Sequence, residues 1–463
     1  SGLPERNIVS WNAMLSAYAE QGEGEKALQL FEELKGEGCV EPNERTFVNL
    51  LQAFSMLADT EEAIRIDVGL VKLKCMERVE TLYSDIQSKG FQFNVFVGNT
   101  LINMFGKCGN INRAESIFFG MSDRTVISWT AMLSAYIDHG EVEKALKLYI
   151  QMRWEEASPN EWTFAILFQA CCMLADKEDM LVVGGLKMKL LALEIGRGLH
   201  SDARRSGLTL DSCVGSTLVN MYGKCGSIVE AENIFFSLSE RDISAWNAIL
   251  SAYLEKGQAE KVLYLYVVMQ GNCLSPDERT FVTALQACCV LASKEETVFI
   301  KGNSTKKKSL DIGRALHADA QMKGFDVDIF ISSTLVSMYG KCGSILDGET
   351  VFSELADRDV VTWTAMISVY VEHDLCDEAL QLFKHMHMKG VGPNHLTYVL
   401  ALRACNTIAE KKVSSIAWRG GSTILRIGRA LHADARQNRH ASDTLVCNKL
   451  ISVYGKCKAI LEA

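Results

Sequence analysis

The sequence predicts an all-α protein, a right-handed superhelical solenoid of tandem helix-turn-helix repeats, on three observations. One period of 117 residues runs through the chain. Within each period, apolar residues recur in pairs of helix-length stripes. Only five prolines occur in 463 residues, which suits a chain of many uninterrupted helices.

The period comes first, because self-similarity decides the architecture. A motif tryptophan stands at Trp11, Trp129, Trp246 and Trp363, spaced 118, 117 and 117. A Gly-Lys-Cys motif places Cys108, Cys225, Cys342 and Cys457, spaced 117, 117 and 115. Four of the five prolines, Pro42, Pro159, Pro276 and Pro393, are 117 apart. Three independent markers on one period divide the chain into four units, 8–125, 126–242, 243–359 and a truncated 360–463. The first residue falls just before a motif and Ala463 falls inside one, so the sequence reads as part of a longer protein.

Each unit has three segments, which in the second unit are 126–160, 161–211 and 212–242. In the first, Trp129, Met132, Leu133 and Tyr136 share a helical face. Gly140 breaks that helix, and Ala145, Leu148, Tyr149 and Met152 form the next stripe. Pro159 stops it. The short third segment of the first unit follows the same plan. Val97, Leu101, Met104 and Phe105 precede Gly109, and Ala114, Ile117, Phe118 and Met121 follow it. One hairpin cannot bury its own apolar face, whereas stacked hairpins can. The long middle segments carry extra residues near 62–77, 179–193, 296–309 and 411–424, which share no obvious motif. They are expected to be protruding loops, removable without loss of fold, in a chain with no sheet.

Composition sets limits. Lys and Arg number 48 against 57 Asp and Glu, a net charge of −9. Non-specific binding to nucleic acid by charge alone is therefore disfavoured. The fifteen cysteines form no CxxC pair and read as buried free thiols. No apolar run approaches the roughly 18 residues of a membrane span. The motif cysteines stand a full period apart, so they read as core positions and not as metal ligands. His200, His317 and His432 recur once per unit without acidic partners and read as structural. His385 and His387 diverge on a helix and do not suggest a metal pair. No cofactor and no small-molecule substrate is implied.

The residues resemble the pentatricopeptide-repeat proteins, in the plant-type subfamily that alternates P, L and S repeats. The P-type likeness lies in VISWTAMLSAY, EKALKLYIQM and SPN within 126–160. The L-type likeness lies in EWTFAILFQACCMLA and LEIGRGLH within 161–200, and the S-type in STLVNMYGKCGSIVEAENIFFSL at 216–238. About twelve repeats are covered. The resemblance implies single-stranded RNA as partner, together with editing-complex proteins. It also implies a mitochondrial or chloroplast address and a role in choosing cytidine-to-uridine editing sites. No HxE followed by PCxxC, the zinc signature of a nucleobase deaminase, occurs in the sequence. The chain is accordingly expected to bind and not to catalyse. Two other roles are compatible with helical-hairpin arrays. One is a tetratricopeptide-like scaffold for proteins, and the other is RNA stabilisation or splicing.

Repeat proteins of this kind read one base per repeat with two or three polar side chains at a fixed phase. The first position falls on Asn12, Thr130, Asn247 and Thr364, each directly after the motif tryptophan. In the S-type segments it falls on Asn99, Ser216, Ser333 and Asn448. The second position lies at the repeat junction, on Asn43, Asn160, Asp277 and Asn394, and on Thr125, Asp242 and Asp359. An ionised aspartate only accepts hydrogen bonds, which suits G or U, while an asparagine amide can also donate, which suits A or C. The family's rule adds that Thr or Ser favours purines and Asn favours pyrimidines. Asn12 with Asn43 then reads C, Thr130 with Asn160 and Thr364 with Asn394 read A, and Asn247 with Asp277 reads U. Ser216 with Asp242 and Ser333 with Asp359 read G, and Asn99 with Thr125 an ambiguous pyrimidine. Val48, Ala165, Val282 and Val399 stand at this phase in the L-type segments and make them spacers. The inferred site is C-n-Y-A-n-G-U-n-G-A-n-Y. Val9, Phe96, Ile127, Phe330 and Val361 are placed to flank bases, with Ser244 as a departure. Lys107, Lys224 and Lys341 of the Gly-Lys-Cys motif are placed to meet phosphates. The run Lys306–Lys308 reads as a solvated loop.

Overall fold

The computed structural model describes residues 7–459, apart from 39, 62–63, 67–68, 184–185, 210, 297, 301–302, 326, 414–420 and 458. It is an all-α repeat array that divides into two compact units, Ser1–Ile249 and Leu250–Ala463. Unit 1 begins with α1 (Ile8–Glu20), α2 (Gly24–Glu37) and α3 (Glu44–Thr60). A ribbon of β1 (Ile64–Ile66) and β2 (Gly69–Val71) follows, then α4 (Leu73–Ser88), α5 (Val95–Cys108) and α6 (Ile111–Gly120). The second period repeats the series as α7 (Val126–Asp138), α8 (Val142–Trp154), α9 (Glu161–Lys177), β3 (Leu181–Val183) and β4 (Leu186–Met188). It closes with α10 (Leu190–Arg205), α11 (Ser212–Lys224) and α12 (Ile228–Ser237).

The next helix is α13 (Ile243–Glu255). Unit 2 then holds α14 (Ala259–Gly271), α15 (Glu278–Lys294), β5 (Val298–Ile300), β6 (Asn303–Thr305), α16 (Lys307–Met322), α17 (Ile329–Cys342) and α18 (Ile345–Glu354). The last period gives α19 (Val360–Glu372), α20 (Cys376–Met388), α21 (His395–Val413), α22 (Gly421–Gln437) and α23 (Thr444–Lys456).

Two layers result. First helices of successive segments pack side by side, α1, α3, α5, α7, α9 and α11 in unit 1 and α15, α17, α19, α21 and α23 in unit 2. We call these the reading layer. Each second helix of these segments packs back on its own first helix, and α14 packs on α15. Gly109 (φ 91°) and Gly140 (φ 74°) sit in the left-handed region at the turns that the sequence assigns them. The motif tryptophans are buried, Trp129 to 1% exposure. Its ring meets the edge of Phe118 at 5.0 Å, as Trp246 meets Phe235 at 4.9 Å and Trp363 meets Phe352 at 5.0 Å.

A fourth marker on the same period escaped the sequence reading. Arg124, Arg241 and Arg358 lay their guanidinium groups over the phenylalanine of each pair, Arg358 at 4.8 Å from Phe352. Arg241 Nε donates to the Phe235 carbonyl at 2.8 Å, and Arg358 Nε to that of Phe352 at 2.6 Å. Arg241 and Arg358 thereby satisfy carbonyls left open at a helix C-terminus.

The packed layers contain no sheet, but three of the L-type insertions are not plain loops. Each forms a two-stranded antiparallel ribbon, with Ile64 opposite Val71, Leu181 opposite Met188 and Val298 opposite Thr305. Of the fourth insertion, near 411–424, residues 414–420 lie outside the described residues, while 411–413 end α21 and 421–424 begin α22. The ribbons are anchored at their bases. Lys72, Lys189 and Lys306 donate backbone N–H groups to the carbonyls of Cys108, Cys225 and Cys342 at 3.0–3.2 Å. Glu61, Glu178 and Glu295 precede the ribbons, and both carboxylate oxygens of each accept amides at the start of α4, α10 and α16. Residues 306–309 therefore belong to a built helix start, with Ser309 Oγ bonded to Glu295 at 2.6 Å.

The motif cysteines Cys108, Cys225 and Cys342 are fully buried core residues. Burial pushes the Cys225 and Cys342 thiols up to about 12. His385 packs on Trp363, whereas His387 turns toward Asp434 at 3.8 Å, so the two diverge.

Candidate nucleic-acid interface

The first-position residues all occupy one place, the fifth residue (N5) of a reading-layer helix or of α13. The second-position residues are also equivalent, each standing immediately before such a helix. The structure gives them a role that the sequence reading left out, because they are N-caps. Asn160 Oδ1 accepts from the Thr163 N–H at 2.9 Å and from the Thr163 hydroxyl at 2.8 Å. Asn394 does the same with Thr397 at 2.9 and 2.8 Å, and Asp359 Oδ1 with Thr362 at 2.8 and 2.7 Å. Asp277 caps α15 through Thr280, Asp242 Oδ1 accepts from the Ala245 N–H, and Thr125 shares a capping box with Ser128. Except at Asp242, which Ala245 follows, the sequence signal was legible as Asn, Asp or Thr followed three residues later by Ser or Thr.

This cap has a chemical consequence. It takes Oδ1, the atom that Asn and Asp share. The remaining atom is the one in which they differ, an amide NH2 or a carboxylate oxygen. In Asn160, Asn394 and Asp359 that atom has no protein partner among the described residues, and each side chain is half-buried.

Three P-type pairs are brought together, each within one unit. Asn12 Nδ2 donates to Asn43 Oδ1 at 3.1 Å, and the Thr46 hydroxyl donates to Asn12 Oδ1 at 2.8 Å. Thr364 reaches Asn394 through the Thr397 hydroxyl, 2.8 Å away, and Thr130 reaches Asn160 through Thr163 at 3.4 Å. Among the described residues the S-type pairs, Asn99 with Thr125, Ser216 with Asp242 and Ser333 with Asp359, have no such link. Ser216 and Ser333 are buried and donate to carbonyls three residues back, those of Cys213 and Phe330. Asp242 Oδ2 instead accepts from Ser212 at 3.2 Å. Asn99 Oδ1 is buried without a partner. Asn247 is buried, and Asn448 is exposed on α23.

Residues expected to flank bases occupy N2, one turn before N5 on the same face. They are exposed: Val9 to 70% and Phe96 to 68%, with Ile127, Phe330 and Val361 likewise open. Cys213 and Leu445 hold the same place on α11 and α23. Exposed apolar residues at one repeated phase are what a row of flat ligands would cover.

A further set of caps was not singled out from sequence. Asn94, Asp211, Asp328 and Asp443 start the S-type helices, but with a different backbone, φ −62° and ψ 134° at Asn94 against φ −109° and ψ −176° at Asn160. Asn94, Asp211 and Asp443 each direct one oxygen at both the N2 and N3 amides.

The repeats match known proteins. The PPR repeat family model matches residues 6–56, 124–173, 241–290 and 358–407. The PPR repeat model matches 99–126 and 216–243. The chain belongs to the pentatricopeptide-repeat family. An Arabidopsis thaliana chloroplastic pentatricopeptide repeat-containing protein is 32% identical over 100% of this chain, which spans 64% of that relative. A mitochondrial one from the same plant is 31% identical over 86% of this chain and 41% of its own length. Among solved structures, maize PPR10 in complex with an 18-nt psaJ RNA element covers 100% of this chain and 80% of its own, at 16% identity and a TM-score of 0.36.

The motif lysines of these pentatricopeptide repeats are not idle. Lys107 and Lys224 each bridge to the carboxylate of an L-type helix, Asp59 and Asp176, at 2.8 Å. Lys341 bridges to Glu372 at 2.8 Å. All three pairs are at least partly exposed, so each contributes only about 0–1 kcal/mol. A phosphate could displace such a carboxylate at little cost, but none of these three lysines waits unpaired for one.

Proposed function

We propose that this chain is a sequence-specific binder of single-stranded RNA, reading one base per P-type and S-type repeat at C-n-Y-A-n-G-U-n-G-A-n-Y. The observation that carries the reading is the shared cap. It holds Asn160, Asn394 and Asp359 by their common oxygen and leaves the distinguishing atom unbonded. An unbonded amide or carboxylate at a repeated phase is a donor or acceptor offered to a base edge. The finer role is recognition of cytidine-to-uridine editing sites on organellar transcripts, in company with editing-complex proteins, the chain supplying recognition and not catalysis. The chloroplastic and mitochondrial names of the relatives support the address.

Asp359 tests the reading. Asp359→Asn retains the Oδ1 cap, so stability should hold, while the base paired with Ser333 should change from G to A. The discrimination should be on the order of 1–3 kcal/mol, by analogy with other base-edge contacts. Asp359→Ala should lose the cap at about 1 kcal/mol and all preference at that base. Binding titrations against RNAs differing at that one nucleotide, with melts of each variant, measure both. If Asp359→Asn weakens both RNAs equally, the residue is only a cap and the reading fails there. Capture of proteins but no RNA would favour the scaffold role instead.

A further inference from the structure

The L-type segments are silent in the code, because Val48, Ala165 and Val282 at N5 cannot bond a base edge. Their N2 residues are not silent in chemistry. N2 of α3, α9 and α15 is Arg45, Trp162 and Arg279, and all three are exposed, Trp162 to 58%. They stand at the phase held by Val9, Phe96 and Ile127 in the other repeats. Neither arginine side chain makes an ion pair or hydrogen bond among the described residues, whereas Lys107, Lys224 and Lys341 are each closed onto a carboxylate. An acidic chain that closes its motif lysines yet leaves these two guanidinium groups open, in phase with an exposed indole, is displaying flat surfaces. An indole stacks on a base through its π face, and a guanidinium does so as a planar cation.

We propose that the L-type segments grip a nucleotide without reading it, by stacking its base on Arg45, Trp162 or Arg279. This rests on the RNA-binding reading above. Every base has a π face, so the contact is blind to identity, which fits the absence of a polar N5 residue beneath it. The fourth L-type helix, α21, carries Leu396 at N2. Leucine has no planar face, so that nucleotide is held less firmly.

The experiment uses RNA of the inferred sequence with a single abasic nucleotide, opposite α9 in one RNA and opposite α21 in another. The chain should bind the α9-abasic RNA at least about fivefold more weakly than the intact RNA, a loss typical of one stacked base. The α21-abasic RNA should lose much less. Trp162→Leu should weaken intact RNA to the same degree whichever base stands opposite α9, and should bind the α9-abasic RNA no more weakly still. Trp162→Phe should restore binding. Melting curves should be unchanged, because the side chain is exposed. If Trp162→Leu loses nothing, or if its loss depends on the base opposite α9, the grip is overturned. A control RNA changed from A to C opposite Thr130 and Asn160 keeps the two ideas apart. If the parent chain binds it as well as the intact RNA, the base-by-base reading fails. If it discriminates while Trp162→Leu costs nothing, only the grip fails.

Discussion

Nδ1 of His200 lies 2.7 Å from the hydroxyl of Tyr222, and the contact ties α10 to α11. His317 with Tyr339 and His432 with Tyr454 repeat it at 2.8 and 2.9 Å. Burial holds His200 and His432 below the ordinary imidazole value. The fold therefore keeps a neutral ring, and the unfolded chain binds more protons in acid. Stability should be full above about pH 6.5 and fall as pH drops below it toward the lower folded values. Thermal melts at about pH 7.5 and about pH 5.5 should show the lower melting temperature in acid. The double variant His200→Gln, His432→Gln should narrow the gap. An unchanged gap would assign the acid sensitivity elsewhere.

The ribbon of the third unit should be separable from its base. Replacing 298–305 with a short glycine linker keeps Glu295 and Lys306, so urea unfolding should shift little. Removing 296–309 also deletes the Lys306 N–H bond to Cys342 and the first turn of α16, and should cost at least about 1 kcal/mol. Glu295→Ala should cost a similar amount through the lost cap alone. Equal midpoints for the long deletion and the intact chain would show that the base is dispensable.

Trp363 offers a test of packing shape. Its Nε1 is buried without a partner, so the ring contributes through contact area and not through a hydrogen bond. Trp363→Ala should destabilise by about 3–5 kcal/mol, and Trp246→Ala by a similar amount. Trp363→Phe keeps most of the contact with Phe352 and removes an unsatisfied donor, so it should cost under about 1.5 kcal/mol. Equal losses for the two variants at Trp363, read by denaturant midpoint, would contradict this account.

The helices were legible because their signals are local. Apolar spacing, turn glycines and terminating prolines act within a few residues, and a 117-residue period repeats each signal up to four times. The ribbons were not legible, because a three-residue strand has too few alternations to stand out. Their anchors join residues 13 or 14 apart, as Glu295 joins Lys308 and Ser309, or 36 apart, as Lys306 joins Cys342. Only the tertiary fold shows such pairs. At the site, the phase of N5 and of the junction was readable. The capping role of Asn160 and Asp359 is also written in the sequence, in the Thr that follows each three residues later. The closure of Lys107 on Asp59 does leave a trace, since Asp59 and Asp176 stand 117 residues apart as Lys107 and Lys224 do, but only the fold shows that the two sets meet.

The cap on Asn160 and Asp359 bears on how such a chain changes over generations. Because Thr163 and Thr362 hold the oxygen common to Asn and Asp, exchanging one residue for the other leaves the helix start intact. The codons of the two amino acids differ by a single purine transition. One nucleotide change in the gene can then alter what a repeat offers at its junction without a folding penalty to be repaired elsewhere. Ala or Val at the same place would sacrifice the cap, so the accessible changes are channelled between the two chemically opposite options. The fold in this way tolerates drift where it alters a preference and resists it where it would erase one.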